Sequence, residues 1–416
     1  MSLSWQRLGI AIFLLALVRI AVLFVMNDSL YRQPANDPDA YALHAHNLGM
    51  TGTFGPAANE PSAYRPPGYP LLLIPFCVTT PPRIWGILLL HFAAGIVTVL
   101  GVWRIASRMD GPSCGWTAML FVAVDPLLAR QAGLVMTEAV FTAFVTGLLA
   151  GWIKPRIPHA GTILDRLAMG ILLALAGLTR PVAWLVWGTA FLVDACLSRR
   201  LREWCSILAI AILVASPWIA RNWMLLGRPI LTTTHGGYTL WLGMNPVFYR
   251  EVVVKGNPIW PEDSFQNWTR ENARLTEGLE EWERDAFFQK QAMNWMKEHP
   301  SDTALCVLHH AASFWSPGPN YGPRWARIGV SAFYLGLFVL AAIGLFQRVT
   351  WTPPYLVLPL SLLAYFLPHV VYWSNVRMRA PLTPVLAVLA ALGWITIARF
   401  RREFRSTSTA TPGSIQ

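Results

Sequence analysis

The sequence predicts an all-α integral membrane protein, and three observations carry that prediction. Apolar runs of membrane-spanning length recur along most of the 416 residues. Charged residues make up only 13% of the chain, about half the share of an ordinary soluble domain. The basic residues gather in alternate connecting segments, as they do where loops face the cytoplasm. The runs lack the two-residue alternation of barrel strands, so helices must satisfy their backbone groups in lipid. A net charge of +11 would suggest nucleic acid in a soluble chain; here the membrane reading explains it and no nucleic-acid partner is expected. The five cysteines are scattered without metal or disulfide spacing and read as packing residues. No small-residue cleavage site follows the first run, which therefore reads as a span and not as a signal peptide.

About ten spans are expected, near residues 8–26, 84–106, 113–129, 136–153, 163–179, 181–197, 204–220, 327–346, 353–372 and 381–398. With the N-terminus inside, the inner segments hold Arg7, then Arg104 and Arg108, then Lys154, Arg156 and Arg166, then Arg199, Arg200 and Arg202. Arg348 and the final Arg399, Arg401, Arg402 and Arg405 continue the pattern, and one orientation satisfies all of it. The chain then divides into an N-terminal membrane region (1–220), an outer segment (221–326), C-terminal membrane helices (327–400) and a disordered cytoplasmic tail (401–416).

Three pieces face outward: a first loop of residues 27–83, a turn near 130–136, and the segment 221–326. In the third, Leu279–Pro300 is expected to form an amphipathic helix, with Trp282, Ala286, Gln289 or Lys290, Met293 and Met296 on its apolar face. Thr303–Trp315 is too short to span and ends on Trp, so it is expected to lie in the interface.

A set of nine further charges falls at or near outer ends of different spans. They are Asp37, Asp39, Arg65, Arg130, Glu138, Arg180, Arg221, Arg377 and Arg379. Each alone reads as a headgroup contact or a solvated charge. As a set, carboxylates ringed by arginines suit a reaction with an anionic leaving group. A carboxylate can act as general base while guanidinium forks bind phosphate oxygens. Arg19 lies inside the first span, where a central arginine costs about 2.5–3.5 kcal/mol; it either snorkels outward or faces the bundle. Glu138 is either a helix-N-terminal carboxylate with Thr137 as cap, or the holder of a site arginine or acceptor. His44 and His46 are wrongly spaced for a metal pair on one helix face, and no metal site is expected from side chains alone. Asp37 and Asp39 could hold a divalent cation together with a substrate phosphate.

The stretches DPDAYALHAHNLGMTGTFG and AYRPPGYPLLL resemble the first outer loop of membrane glycosyltransferases with the GT-C fold. The resemblance is to glycosyltransferase family 39 and its kin, the protein O-mannosyltransferase and lipid A aminoarabinose transferase group. It continues in order through LVMTEAVF, GLTRP, SPWIARNWMLLGRPI, GGYTLWLGMNP and ERDAFFQKQAMNWMKEHP to NVRMRAPLTPVLAVLAALG. It implies an inverting transfer of a sugar from a polyprenyl-phosphate donor to a hydroxyl of protein, lipid or glycan, on the extracytoplasmic face of a cell inner membrane. Family spacing sets the catalytic aspartate four residues before a tyrosine, which is Asp37 before Tyr41, with Asp39 as a second acid. Arg65, Arg377 and Arg379 then become donor-phosphate contacts, joined by Arg180 and Arg221, with Tyr41 and Tyr69 as acceptor or structural residues. The two prolines after Arg65 would hold it in place.

Two other readings make different demands. A lipid-carrier glycan ligase or polymerase would share the chemistry and differ in substrates. A transporter or flippase would carry intramembrane charges or internal repeats, and no repeat is evident.

Overall fold

The structure, a computed structural model, describes residues 4–25, 37, 39–153, 162–320 and 322–409, with side chains described to 405. The start of the first outer loop, Lys154, Arg156 and the end of the expected tail lie outside the described residues. Within them the chain is helical, with one isolated bridge between Ala57 and Glu60.

Five helices are long and apolar enough to cross a bilayer: Trp5–Val25 (α1), Ile84–Ala123 (α4), Leu201–Leu226 (α9), Arg324–Leu345 (α14), and the stretch Val376–Arg405, whose α-helical part is Thr383–Thr409 (α16). Four apolar helices are shorter: Gly68–Cys77 (α3), Glu138–Trp152 (α6), Val182–Leu197 (α8) and Val357–Val371 (α15). Ile163–Thr179 (α7) completes the apolar set. The fold is thus that of a multi-pass membrane protein. Ten full-length spans are not what it shows, because several apolar runs end early where the chain turns to present polar groups.

The expected spans 84–106 and 113–129 are two limbs of α4. They are broken at Asp110 and Gly111, where Gly111 takes φ 84° and Pro112 follows. The second limb stops at Ala123, not 129, because Asp125 caps a new short helix, Pro126–Ala132 (α5), by accepting from the Leu128 amide. The break lies at the end of the bundle where Arg399 meets Asp110 at 2.8 Å.

The first outer loop contains structure the sequence pattern did not announce, a helix Tyr41–Thr51 (α2) and α3. Helix α9 runs past residue 220 to Leu226, so Arg221 sits on a helix. Beyond it come Gly236–Gly243 (α10), a wide turn at Tyr249–Val254, Glu262–Leu275 (α11), Glu281–Glu298 (α12) and Pro300–Trp315 (α13). Helix α12 is the expected amphipathic one, but it buries Phe288, Ala292 and Trp295, while Met293 is exposed. Its buried face is therefore turned by about one residue from the expected stripe. Helix α13 is not a lone interfacial segment. It packs on α15 through His310, whose ring lies against Val370 O, and Phe314, which meets the Tyr365, Phe366 and His369 rings.

Helix α16 is the centre of the bundle, its residues Val385–Leu392 all buried. It touches α14 backbone to backbone: a Cβ on Gly344 would fall 1.9 Å from Leu389 O, and one on Gly393 2.1 Å from Leu340 O. Small residues allow such contact in an apolar solvent, where packing replaces the hydrophobic effect as the source of association. Beside it a polar knot joins three elements. Tyr334 of α14 donates to Asp125, at 2.7 and 2.9 Å from its two carboxylate oxygens. Arg379 lies over the Tyr334 and Phe338 rings.

Candidate active site

The site is assembled where the outer loop meets the outer ends of the bundle. The Pro67–Gly68 step docks α3 against the end of α7, since a Cβ on Gly68 would lie 2.8 Å from Leu178 O. That contact brings the AYRPPGYP stretch beside the GLTRP stretch, and so Arg65 toward Arg180. Ala40 adopts φ 58°, a conformation a non-glycine residue rarely takes, at the entrance of α2. The Ala40 amide donates to Asp37 O at 2.8 Å, and the two carboxylates lie close enough for the charge of Asp39 to act on Asp37.

Asp37 Oδ2 accepts from the Ala42 and Leu43 amides, so the carboxylate sits on the positive end of α2. Its other oxygen is buried with no hydrogen-bond partner. Burial pushes its pKa up; the backbone amides oppose that shift and the charge of Asp39 adds to it. Asp39 pairs with Arg65 at 2.9 Å. Arg65 also lies over the Tyr41 and Tyr64 rings. Tyr41 is buried and feels the charges of Asp39, Arg65, Arg180 and Glu138 together, which marks these groups as one cluster around it. Tyr69 packs edge-on against Tyr41 and shares a 2.8 Å hydrogen bond with His91 Nε2.

Glu138, fully buried in the first turn of α6, faces two arginines: Arg180 at 3.6 Å and Arg377 at 3.4 Å, both to Oε1. Glu138 thus lies both at the N-terminal turn of α6 and beside two arginines. Thr137 stands at the cap position but makes no capping hydrogen bond. Both Glu138 oxygens, Arg180 Nη1 and Arg377 Nε are buried with no hydrogen-bond partner at this spacing.

Three of the expected residues make contacts of their own away from this cluster. Arg379, fully buried, donates to the Phe314 and Ser316 carbonyls. Arg221 donates to the Ser62 and Phe54 carbonyls, each at 2.8 Å, and so ties α9 to the outer loop. Arg19 faces the bundle, with Nη1 donating to Leu15 O and Gly95 of α4 against its guanidinium. Both Arg221 and Arg379 thus donate to backbone carbonyls and tie segments of the chain together.

The outer segment covers the cluster. Glu281 of α12 accepts from Ser62 Oγ, from the Ala63 amide at 2.9 Å and from Thr234 Oγ1, fixing the backbone two residues before Arg65. His235 packs edge-on against Tyr64, and burial lowers its pKa to about 3, leaving it neutral.

A cavity of about 810 Å³ opens beside the cluster. Asp39, Arg130 and Arg377 line its charged end, and Ile84, Ile87, Leu88, Leu134 and Val135 form an aliphatic wall. A third wall comes from the outer segment and the turn after α15, including Trp260 and Trp373. Among the described residues, no group of three His, Cys, Asp or Glu side chains could hold a metal ion.

No family model matches the sequence, and no curated protein sequence matches it. Solved structures do match. The oligosaccharyltransferase AglB from Archaeoglobus fulgidus, in complex with an inhibitory peptide and a dolichol-phosphate, superposes with a TM-score of 0.55 at 12% identity, covering 99% of this chain and 53% of that one. Its apo form gives 0.56 at 13% identity, covering 100% and 53%. ArnT from Cupriavidus metallidurans bound to undecaprenyl phosphate gives 0.45 at 14% identity, covering 96% and 81%. The chain spans about half the length of the oligosaccharyltransferase. The fold is the GT-C fold of membrane glycosyltransferases.

Proposed function

We propose that this protein is an inverting glycosyltransferase that moves a sugar from a polyprenyl-phosphate donor to a hydroxyl acceptor, on the extracytoplasmic face of a cell inner membrane. One observation supports the reading: Asp39, Arg130 and Arg377, from three separate elements, line a cavity together with the aliphatic Ile84, Ile87, Leu88, Leu134 and Val135, and Asp39 and Arg377 are paired there with Arg65 and Glu138. A lipid-linked donor needs that arrangement, with an apolar surface for its chain beside cations for its phosphate. The dolichol-phosphate bound by AglB is a ligand of that chemical class.

Asp37 is assigned the proton. Its raised pKa makes it a better base near neutral pH than an ordinary aspartate, and its free oxygen is available to an acceptor hydroxyl. The acceptor oxygen bonds to the anomeric carbon as the C–O bond to phosphate breaks on the opposite side. The electron pair leaves on the polyprenyl phosphate. Arg65, oriented by Asp39, and Arg180 and Arg377, held by Glu138, stabilise the charge that grows there. The free Asp37 oxygen is also the place where a divalent cation would bind, its shell completed by substrate phosphate and water.

The test is polyprenyl-phosphate release by the protein in lipid nanodiscs, supplied with polyprenyl-phosphate sugars and envelope acceptors. Asp37→Asn should lower release by about 10²–10⁴-fold. Asp39→Asn should act mainly by raising the donor KM. Release unaffected by either substitution would remove the assignment, and no release with any donor would favour a transporter.

A further inference from the structure

The cavity's third wall has a chemistry distinct from the other two. Trp260, Phe265, Phe248 and Trp373 supply aromatic surface, and His309, Ser313, Ser374 and Asn320 supply polar groups. None of these is charged. Burial lowers the pKa of His309, so it is neutral at physiological pH, and Ser313 Oγ lies 3.3 Å from its Nε2. Trp260 is held by rings on three sides, with centroids of Phe248, Phe265 and Trp268 at 5.6, 5.4 and 5.3 Å. A rigid indole of this kind is a surface on which another ring can stack.

Two donors on this wall are unsatisfied. The Trp260 Nε1 and Ser374 Oγ atoms are buried with no hydrogen-bond partner, and Ser374 as a whole is 6% exposed. Native proteins rarely leave buried donors unpaired, because each costs about 1–3 kcal/mol. A ligand that supplies neutral oxygens beside a flat apolar face would satisfy both. Phosphate and carboxylate are poorly matched, since none of the residues of this wall carries a positive charge. An acyl chain would leave the two donors unpaired.

We propose that this wall seats the pyranose ring of the acceptor, so that the acceptor is a saccharide and not a protein side chain or a simple lipid. The proposal rests on the glycosyltransferase reading above and specifies its acceptor class. The ring stacks on Trp260 and Trp373, with its hydroxyls accepting from Trp260 Nε1 and Ser374. One further hydroxyl then reaches Asp37 and gives up its proton as its oxygen takes the anomeric carbon.

The first experiment does not depend on turnover. Saturation-transfer NMR would use the full chain in nanodiscs with methyl glycosides of hexoses and N-acetylhexosamines. Ring protons of at least one glycoside should receive saturation from the wild type, lose most of it with Trp260→Leu, and weaken with Ser374→Ala. Thermal unfolding confirms that both variants are folded. No saturation with any glycoside, or saturation unchanged in both folded variants, would overturn the proposal. In the release assay, transfer to an oligosaccharide should fall about tenfold more in Trp260→Leu than hydrolysis of the donor by water. Equal falls would place the donor sugar on this wall and overturn the acceptor assignment. Absence of release with any donor, with glycoside binding intact, would defeat the transferase reading alone.

Discussion

Two buried polar regions lie close together in the chain and are built to opposite standards. In one, Asp125 accepts the Tyr334 hydroxyl and the Leu128 amide, and Arg379 donates to two carbonyls. In the other, Glu138 faces Arg180 and Arg377 at 3.6 and 3.4 Å, with four buried atoms unpaired. The first pairs both oxygens of its carboxylate and leaves only the Arg379 Nε of its charged groups unpaired, an arrangement that fixes packing. The second keeps charge without closing its bonds, and such a site is completed by something that binds. Depth in the bundle therefore does not separate the two regions, but the state of the carboxylate does: Asp125 is hydrogen-bonded through both oxygens and Glu138 through neither.

The sharpest way to break this contrast uses two arginines two residues apart. Arg377→Ala should lower kcat/KM for release by about 10²–10³-fold, the usual cost of removing one group that stabilises developing charge, with little change in unfolding temperature. Arg379→Ala should do the reverse, costing about 3–5 kcal/mol of stability, because it strands buried acceptors and removes the cation over Tyr334. Equal effects on both readouts from the two substitutions would erase the distinction. A smaller effect of the same kind is expected from Tyr334→Phe, which removes a hydrogen bond to a carboxylate worth about 1.5–3 kcal/mol. Denaturant or thermal unfolding in nanodiscs would measure it, and no change would mean that the knot does not support the fold.

The smallest expected effect concerns pH. The folded pKa of Asp37 is raised, so the folded state holds its proton more tightly than the unfolded chain does. Its contribution to stability is fully present below the ordinary aspartate value, about 3.9, and is lost as pH rises through the folded value. Catalysis has the opposite sign, since the base must be ionised, so release should rise over that same interval. Unfolding temperatures across acidic pH should show the slope in wild type and not in Asp37→Asn.

The membrane class was legible because composition and apolar run length report it directly. Asp37, Asp39 and Arg65 were legible because they lie in one loop with a rigid Pro-Pro step. The number of full-length spans was not. An apolar run does not show where a capping residue such as Asp125 or a turn such as 133–137 will end a helix early. Arg377 and Arg379 looked alike in sequence, and only their partners separated them. The Trp260 and Ser374 wall gave no local signal, since its residues come from segments far apart in the chain and none is charged. A buried unpaired donor can be seen only once the chain is folded.

Arg377 and Arg379 sit on one short 3₁₀ turn, Val376–Leu382, that leads into α16. With three residues per turn, side chains two apart point in well-separated directions, one to Glu138 and the other to the Phe314 and Ser316 carbonyls. The turn works as a register mark between the central helix and the Glu138 cluster. Any sliding or rotation of α16 that carried it along would disturb both arginines at once, so the anchoring of the bundle and the geometry of that cluster are coupled by a single turn of backbone.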